Sequence, residues 1–345
     1  MIAIKPTRVF TDAQLANARL QGDPPADAVI AAVAAQGHHP AVGQLMRWLA
    51  NTDTVDTADQ PEAVRQFFVD YAHLPAWADG KRMQRGMAFF QRHAGAIGLA
   101  LGTLSLPYTY LGANGIQLLW LTERIKTDTP RRLQETGEWV FAVNEPKNWL
   151  RPSTHNAPPK AVAYTLKIRL IHAAARWYAY QANTNGVPRW NEAWGVPVCQ
   201  EDMVGTMGAF SYIVLRGLRK MGVPMTEADE EDYLHHINVI GFINGVSDEL
   251  LPRNLREAFH LDKLIARRQF AASEAGRGLT KALLDAIATI SGNPSTRNLA
   301  AAQMRFFLGS DHADALGIPN VPVEESLVGV VNRLPIFPKL IPKTV

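Results

Sequence analysis

One stretch of the chain carries a histidine between two arginines at helical spacing. Arg169, His172 and Arg176 lie three and four residues apart within the segment 161–182, so on a helix they share one face. Alanines flank the histidine, and such small side chains would let a flat macrocycle approach the helix closely. The pattern is compatible with His172 as the axial ligand of a haem iron, with the two arginines neutralising the haem propionates.

The same three residues also have a plainer interpretation. A single histidine on an apolar helix face is often a core residue, and arginines beside it are often surface or capping groups. The spacing alone leaves both interpretations open.

A second helical segment, 131–143, combines polar and apolar side chains in one stripe. Arg132, Glu135, Thr136 and Trp139 recur at helical spacing and share a face. An oxygenase needs such a surface near bound oxygen, because its apolar substrate must still meet a base and a hydrogen-bond donor. A solvated outer face, with Arg132 paired to Glu135 or Glu138, explains the stripe equally well.

A pair of adjacent histidines offers an alternative metal site. Asp232 and His235 have the D-x-x-H spacing of carboxylate di-iron bundles, and His236 follows directly. Such bundles need a second copy of the motif, and the sequence has none. The favoured interpretation is therefore that both histidines are core or capping residues.

Cys199 is the only cysteine of the chain. One cysteine excludes an intramolecular disulfide, a cysteine-based zinc site and the C-x-x-C-H attachment of a covalently bound haem. Glu201 and Asp202 follow it closely and oppose a thiolate, so we expect Cys199 to be structural. Any haem would have to be held without covalent bonds.

Helices must position these residues, because no stretch alternates apolar and polar residues as a half-buried strand does. The sequence predicts an all-α fold with Pro107 as a break and with Thr226 and Asp229 as a capping box. The main predicted helices are 25–36, a segment opening at Pro61, 77–98, 99–121, 131–143, 161–182, 201–221, 227–245, 253–271, 279–290 and 299–308. A loop is predicted between them at 183–200.

Composition narrows the class of protein. The 345 residues are 47% hydrophobic with a formal charge of +3 and no basic cluster, which predicts a globular protein that does not bind nucleic acid. The apolar stretch 94–120 is interrupted by polar residues and proline, so we expect no integral membrane segment. Without a signal-like start, a cytoplasmic location is expected. We divide the chain into a helical extension (1–60), one domain (61–330) and an extended tail (331–345).

Several segments together resemble the catalytic-domain family of latex-clearing proteins (rubber oxygenases) and MpaB-type oxygenases. The segments span roughly residues 70–320, nearly the whole chain. They are LPAWADGKRMQRG from Leu74, RLQETGEWV from Arg132, KIRLIHAAARW from Lys167, WNEAWGVPVCQEDMVGTMGAFSYIVLRGLRKMG from Trp190, YLHHINVIGFINGVSDELLP from Tyr233 and MRFFLGSDHADALGIP from Met304.

The resemblance implies a globin-like core around haem b, with His172 as the axial ligand and with Arg132 and Thr136 on the distal helix. Where the latex-clearing members have a distal lysine, this chain has Glu135. Their catalytic glutamate lies one helix earlier, where this chain offers Ile116 and Gln117. Glu135 or Gln117 would then position or deprotonate the substrate.

The resemblance further implies cleavage of a carbon–carbon double bond by dioxygen. Because the sequence shows no secretion signal, an isoprenoid or other apolar small molecule fits better than extracellular rubber. A haem sensor or carrier without turnover, and a haem-free helical scaffold, are the alternative hypotheses. The sequence makes no prediction of the oligomeric state.

Overall fold

The computed structural model describes residues 7–51, 54–121, 128–150, 157–181, 190–325 and 328–331. Throughout these ranges the regular structure is helical, and the one β-bridge, between Gly112 and Phe270, is isolated. The all-α prediction is confirmed. The predicted tail lies, apart from its first residue, outside the described residues.

Eighteen α-helices form the body of the fold within these ranges. The first seven are α1 (Asp12–Arg19), α2 (Pro24–Ala50), α3 (Glu62–Tyr71), α4 (Gly80–Arg92), α5 (Ala94–Ala100), α6 (Leu106–Tyr110) and α7 (Gln117–Leu121). The next seven are α8 (Thr129–Val143), α9 (Lys160–Gln181), α10 (Gln200–Phe210), α11 (Tyr212–Lys220), α12 (Glu227–Ile243), α13 (Leu255–Gln269) and α14 (Glu274–Ser291). The last four are α15 (Thr296–Leu308), α16 (Ser310–Ala315), α17 (Pro322–Glu325) and α18 (Val328–Val331).

The start of α12 is determined locally. The Thr226 hydroxyl accepts a hydrogen bond from the Asp229 backbone N–H, and the Asp229 carboxylate accepts one from the Thr226 N–H. This reciprocal capping satisfies two of the donors that a helix leaves open at its N-terminus. The predicted capping box is confirmed. The preceding helix ends at Lys220, with Gly222 in the left-handed region at φ 76°, as the sequence indicates.

Pro107 lies after a widened turn of its helix, where the sequence predicts a break. The turn before it, Leu101–Ser105, widens into a π-helix between α5 and α6. Proline lacks an N–H and its ring crowds the carbonyl four residues earlier, and a widened turn relieves that contact. The helix predicted over 99–121, with its break at Pro107, is also wrong beyond Tyr110, where a turn at 111–116 precedes α7.

Two other helix boundaries differ from the prediction. Ser211 interrupts the predicted helix 201–221 between α10 and α11, with φ −114° and ψ −87°. Its hydroxyl donates to the Met207 carbonyl, which competes with the backbone hydrogen bonds of the helix. The helix predicted at 25–36 does not end there, because Gly37 and His38 mark only a kink within α2.

Helix α9 is the central element of the fold. Ala161 and Tyr164 belong to the larger hydrophobic core, whereas Leu166 and Leu170 belong to a second cluster formed with α2, α3 and α12. Both leucines are fully buried, and each such side chain contributes about 1.5–3 kcal/mol of transfer free energy. Because both cores include it, α9 is held in place along its length. The predicted extension 1–60 packs against it through α2.

No helix in the described part of the chain combines the length and apolar character needed to cross a membrane.

Candidate active site

A cavity of about 370 Å³ lies between α8, α9, α10 and the turn that precedes α7. Its volume is in the range of pockets that bind small molecules. Apolar side chains make up much of the wall, and they include Leu106, Ile116, Leu119, Leu133, Trp139, Ile168, Val204, Met207, Phe210, Leu261, Ile265 and Phe270. The cavity therefore suits a largely apolar ligand.

His172 reaches this cavity from α9. Burial lowers the pKa of its imidazole to about 4, with Arg176 and Arg132 acting in the same direction and Asp23 opposing them. The ring is therefore neutral near pH 7, which is the protonation state that binds metals. Its Nδ1 atom is buried and has no hydrogen-bond partner in the described residues.

The surroundings of His172 fit the haem iron ligand predicted from the sequence. A neutral imidazole supplies the donor atom, and Ile168, one turn earlier on α9, contributes an apolar wall. Arg132 adds a positive charge to the same cavity. A single histidine in an apolar pocket is a known mode of holding haem. The role of His172 as ligand stays a prediction.

Helix α8 presents one of its faces to the same cavity. The residues that line it follow one another at spacings of three, one, three and three; they are Thr129, Arg132, Leu133, Thr136 and Trp139. Positions three or four residues apart lie on one side of a helix. The predicted stripe therefore supplies Arg132 and Thr136 to the cavity wall, although the roles assigned to them remain predictions.

Glu135 does not reach the cavity. Its side chain is 52% exposed, and its Oε1 atom accepts a hydrogen bond from Arg131 Nε at 2.9 Å. Successive helical residues are turned by about 100°, which places Glu135 on the side of Arg132 away from Leu133 and Thr136. The expectation that its carboxylate lies near bound oxygen is not met. Glu135 instead forms a local ion pair at the surface, as in the alternative interpretation, but its partner is Arg131.

Gln117 is likewise absent from the cavity wall, although Ile116 and Leu119 on either side belong to it. Its Nε2 atom donates to the Ala113 carbonyl at 2.7 Å. The side chain thus stabilises the turn before α7. This contact with its own turn provides no support for the proposed catalytic role.

The two arginines expected at the haem propionates instead fasten α2 to α9. Arg169 donates from Nε and Nη2 to the two oxygens of Asp23, at 2.6 and 2.9 Å. Arg176 Nε donates to Asp27 at 2.6 Å and Nη1 donates to the Val198 carbonyl. Neither arginine lines the cavity, and both are paired with carboxylates. Their contact with propionates stays a prediction.

Sequence reasoning missed Asp202 as a cavity residue. Helix α10 places Glu201 and Asp202 at the cavity wall, beside the turn that contains Gly115. The only sign of it in the sequence is the pair of acidic residues, Glu201 and Asp202, in the first turn of α10. No local pattern indicates that this turn packs against residues 112–116.

The alternative metal site at His235 and His236 is not supported. His235 Nε2 accepts a hydrogen bond from the Asp79 N–H at 2.9 Å, and His236 Nε2 lies 3.1 Å from the Val143 carbonyl oxygen. Among the residues that the structure describes, no group of three or more metal-binding side chains is arranged around a common point. The two histidines act as buried links between helices, as the favoured interpretation predicts.

Cys199 is buried at the start of α10 and its sulfur accepts a hydrogen bond from the Asp202 backbone N–H. Burial and the negative charge of Asp202 raise the pKa of its thiol, and Arg19 opposes them. A neutral capping thiol agrees with the structural role expected for Cys199.

The chain is similar to known proteins over most of its length. Over residues 81–334 the chain matches the family described as ER-bound oxygenase mpaB/B′/Rubber oxygenase, catalytic domain. It is 28% identical over 319 residues to a rubber oxygenase of Streptomyces sp. (strain K30), covering 89% of this chain and 73% of that relative.

The fold is similar to the solved structure of latex clearing protein LCP in the closed state. The TM-score is 0.73 at 24% sequence identity, and the similarity covers 95% of this chain and 86% of that one. This likeness supports the all-α architecture. Because the family match extends over well more than half of the sequence, the chain belongs to the mpaB/B′ and rubber oxygenase catalytic-domain family.

Proposed function

We propose that the protein is a haem b-dependent oxygenase that cleaves a carbon–carbon double bond of an isoprenoid or other apolar small molecule with dioxygen. The observation that carries this proposal is the neutral imidazole of His172 in the wall of a mostly apolar cavity. Membership of an oxygenase family supports the reaction class.

Different residues of the chain would bind the haem and the substrate. When bound, haem would supply the iron that activates dioxygen. His172 would hold it from α9, and its depressed pKa keeps the ring free of a proton. Arg132 and Thr136 contribute a positive charge and a hydroxyl from α8, which can orient polar groups in the cavity. Apolar side chains exclude water and hold the apolar substrate by burial.

Two histidine-to-alanine variants test whether the protein binds haem through His172. We expect the purified protein to take up about one haem per chain, extractable by acidified organic solvent. His172→Ala should lose the haem absorption band while keeping its helical circular dichroism, because alanine favours helix. His260→Ala, at an exposed position of α13, is the matched control and should retain haem.

Oxygen uptake then separates an oxygenase from a haem carrier. Steady consumption of dioxygen with an isoprenoid, together with carbonyl products, is the expected result. A folded protein that takes up no haem, or a His172→Ala variant with an unchanged haem spectrum, would contradict the proposed site. Haem binding without any oxygen consumption would favour the sensor or carrier.

A further inference from the structure

Helix α13 has two sides of different chemistry. Its inner side contributes Ala258, Leu261 and Ile265 to the wall of the cavity. Its other side is exposed to solvent, and the five residues there, which we call the outer face of α13, are Arg256, Phe259, His260, Lys263 and Arg267. They follow one another at spacings of three, one, three and four, which keep side chains on one side of a helix. One helix thus separates the outer face from the cavity.

Positive charge dominates the outer face, because three of its five side chains are those of lysine and arginine. The two carboxylates of the same helix lie elsewhere: Glu257 is fully buried, and Asp262 lines the cavity. Arg267 Nη2 lies 3.6 Å from Oδ1 of the exposed Asp12, so this neighbouring carboxylate offsets part of the charge. Three cations beside one such carboxylate leave the face with a surplus of positive charge.

An exposed aromatic ring lies among these cations. Phe259 is 37% exposed, and the Lys263 Nζ atom lies 5.3 Å from the centre of its ring. The Tyr212 ring of α11 lies 6.4 Å from it on the protein side. Basic side chains together with an exposed apolar ring are typical of surfaces that bind at the boundary of a bilayer, where cations meet lipid headgroups and the ring reaches between them.

We propose that the outer face of α13 docks the protein on a lipid bilayer that carries anionic headgroups. Its lysine and arginines would bind the headgroups, and Phe259 would enter the boundary with the acyl chains. An acidic protein would match the charge equally well. The mostly apolar cavity directly behind the face favours the bilayer, because apolar molecules concentrate there. This inference goes beyond the proposed function and does not require bound haem.

Sedimentation with vesicles tests the proposal on the full-length protein. Each Lys or Arg at an anionic surface raises the affinity about fivefold, so a surplus of two charges predicts about 25-fold stronger partitioning to vesicles with about 30% phosphatidylglycerol than to pure phosphatidylcholine. The preference should shrink as salt rises from about 0.05 to 0.5 M. Equal partitioning to both vesicles would overturn the proposal. Binding to neither would also overturn it and would leave an acidic protein as the partner.

Charge reversal assigns the binding to this face. The double variant Arg256→Glu with Lys263→Glu should reduce the preference for anionic vesicles to within about twofold. Arg47→Glu with Lys81→Glu makes the same change in net charge at exposed positions of α2 and α4 and should retain most of the preference. Circular dichroism checks that both variants are folded. An equal loss in the two variants would contradict a specific face.

A fluorescent label on Phe259→Cys measures contact with the bilayer directly. Cys199, the only native cysteine, is buried, so a maleimide dye would react at position 259. Anionic vesicles should shift the emission of an environment-sensitive dye to shorter wavelength, because its surroundings become less polar. Val69→Cys, at a 74% exposed position of α3, is the control and should show no shift. Vesicle binding without a shift at position 259 would overturn the proposal.

These experiments do not depend on turnover. If the protein binds anionic vesicles through α13 but consumes no oxygen, the proposed oxygenase function fails and the docking face stands. If oxygen is consumed and no vesicle is bound, the oxygenase stands and the docking face is wrong.

Discussion

At the scale of single residues, Glu135 and Thr136 are neighbours in sequence but have different surroundings. Thr136 lines the cavity, whereas Glu135 pairs with Arg131 at the surface. Exposed pairs of this kind contribute about 0–1 kcal/mol. The chemistry of the cavity therefore should not depend on the charge of Glu135.

We expect Glu135→Gln to leave haem content and the rate of oxygen consumption within about twofold of the unchanged protein. Thr136→Val, which removes a hydroxyl from the cavity at nearly constant volume, should lower kcat/KM by about tenfold. Steady-state oxygen electrode measurements with one isoprenoid substrate compare the two variants. A large loss of rate in Glu135→Gln, with Thr136→Val unaffected, would reverse the assignment.

At the scale of elements, α4 and α12 pack unusually closely at Gly86. A Cβ atom built there would lie 2.6 Å from the Asp232 backbone oxygen and 2.8 Å from His236 Cβ. A backbone atom cannot move aside as the end of a flexible side chain can. The close approach of these two helices therefore needs a glycine at this position.

Gly86→Ala should lower the free energy of unfolding by about 1–3 kcal/mol, the usual cost of overpacking a core. Gly80→Ala, in the first turn of the same helix, has no atom within 4 Å of the new methyl group and should be neutral or stabilising by up to about 1 kcal/mol. Urea denaturation of both variants measures the difference. Equal stabilities would contradict the close packing at Gly86.

At the scale of the whole molecule, three histidines are kept neutral inside the fold. Burial lowers the pKa of His172 and His235 to about 4 and that of His236 to about 3. Between these values and the ordinary histidine pKa of about 6.5, the unfolded chain binds protons that the folded chain does not. Each such histidine therefore makes the free energy of unfolding fall as the pH falls through this range.

His236→Gln isolates one of these contributions. Between pH 7 and pH 5 the neutral, buried His236 should lower the free energy of unfolding by about 2 kcal/mol. Each pH unit below 6.5 contributes about 1.4 kcal/mol to this loss. The loss of stability between pH 7 and pH 5 should therefore be smaller by about 2 kcal/mol in the variant. Denaturation at both pH values measures it, with the exposed His260→Gln as control. An unchanged pH dependence in His236→Gln would contradict a neutral, buried His236.

The sequence alone determined those features that depend on local spacing. Helical periodicity predicted the all-α fold, and the spacing of Thr226 and Asp229 predicted their capping box. The same periodicity brought Arg132 and Thr136 onto one face of α8. Interactions between residues three or four positions apart are fully contained in such patterns, so they can be read without the fold.

Only the tertiary structure decided which long-range partners these residues have. Asp23 and Arg169 are 146 positions apart, and their pairing depends on how α2 packs along α9. Asp202 reaches the cavity because α10 lies against the turn at Gly115, and Glu135 misses it because α8 presents its other side. Such contacts follow from the packing of whole elements, and no local spacing contains that information.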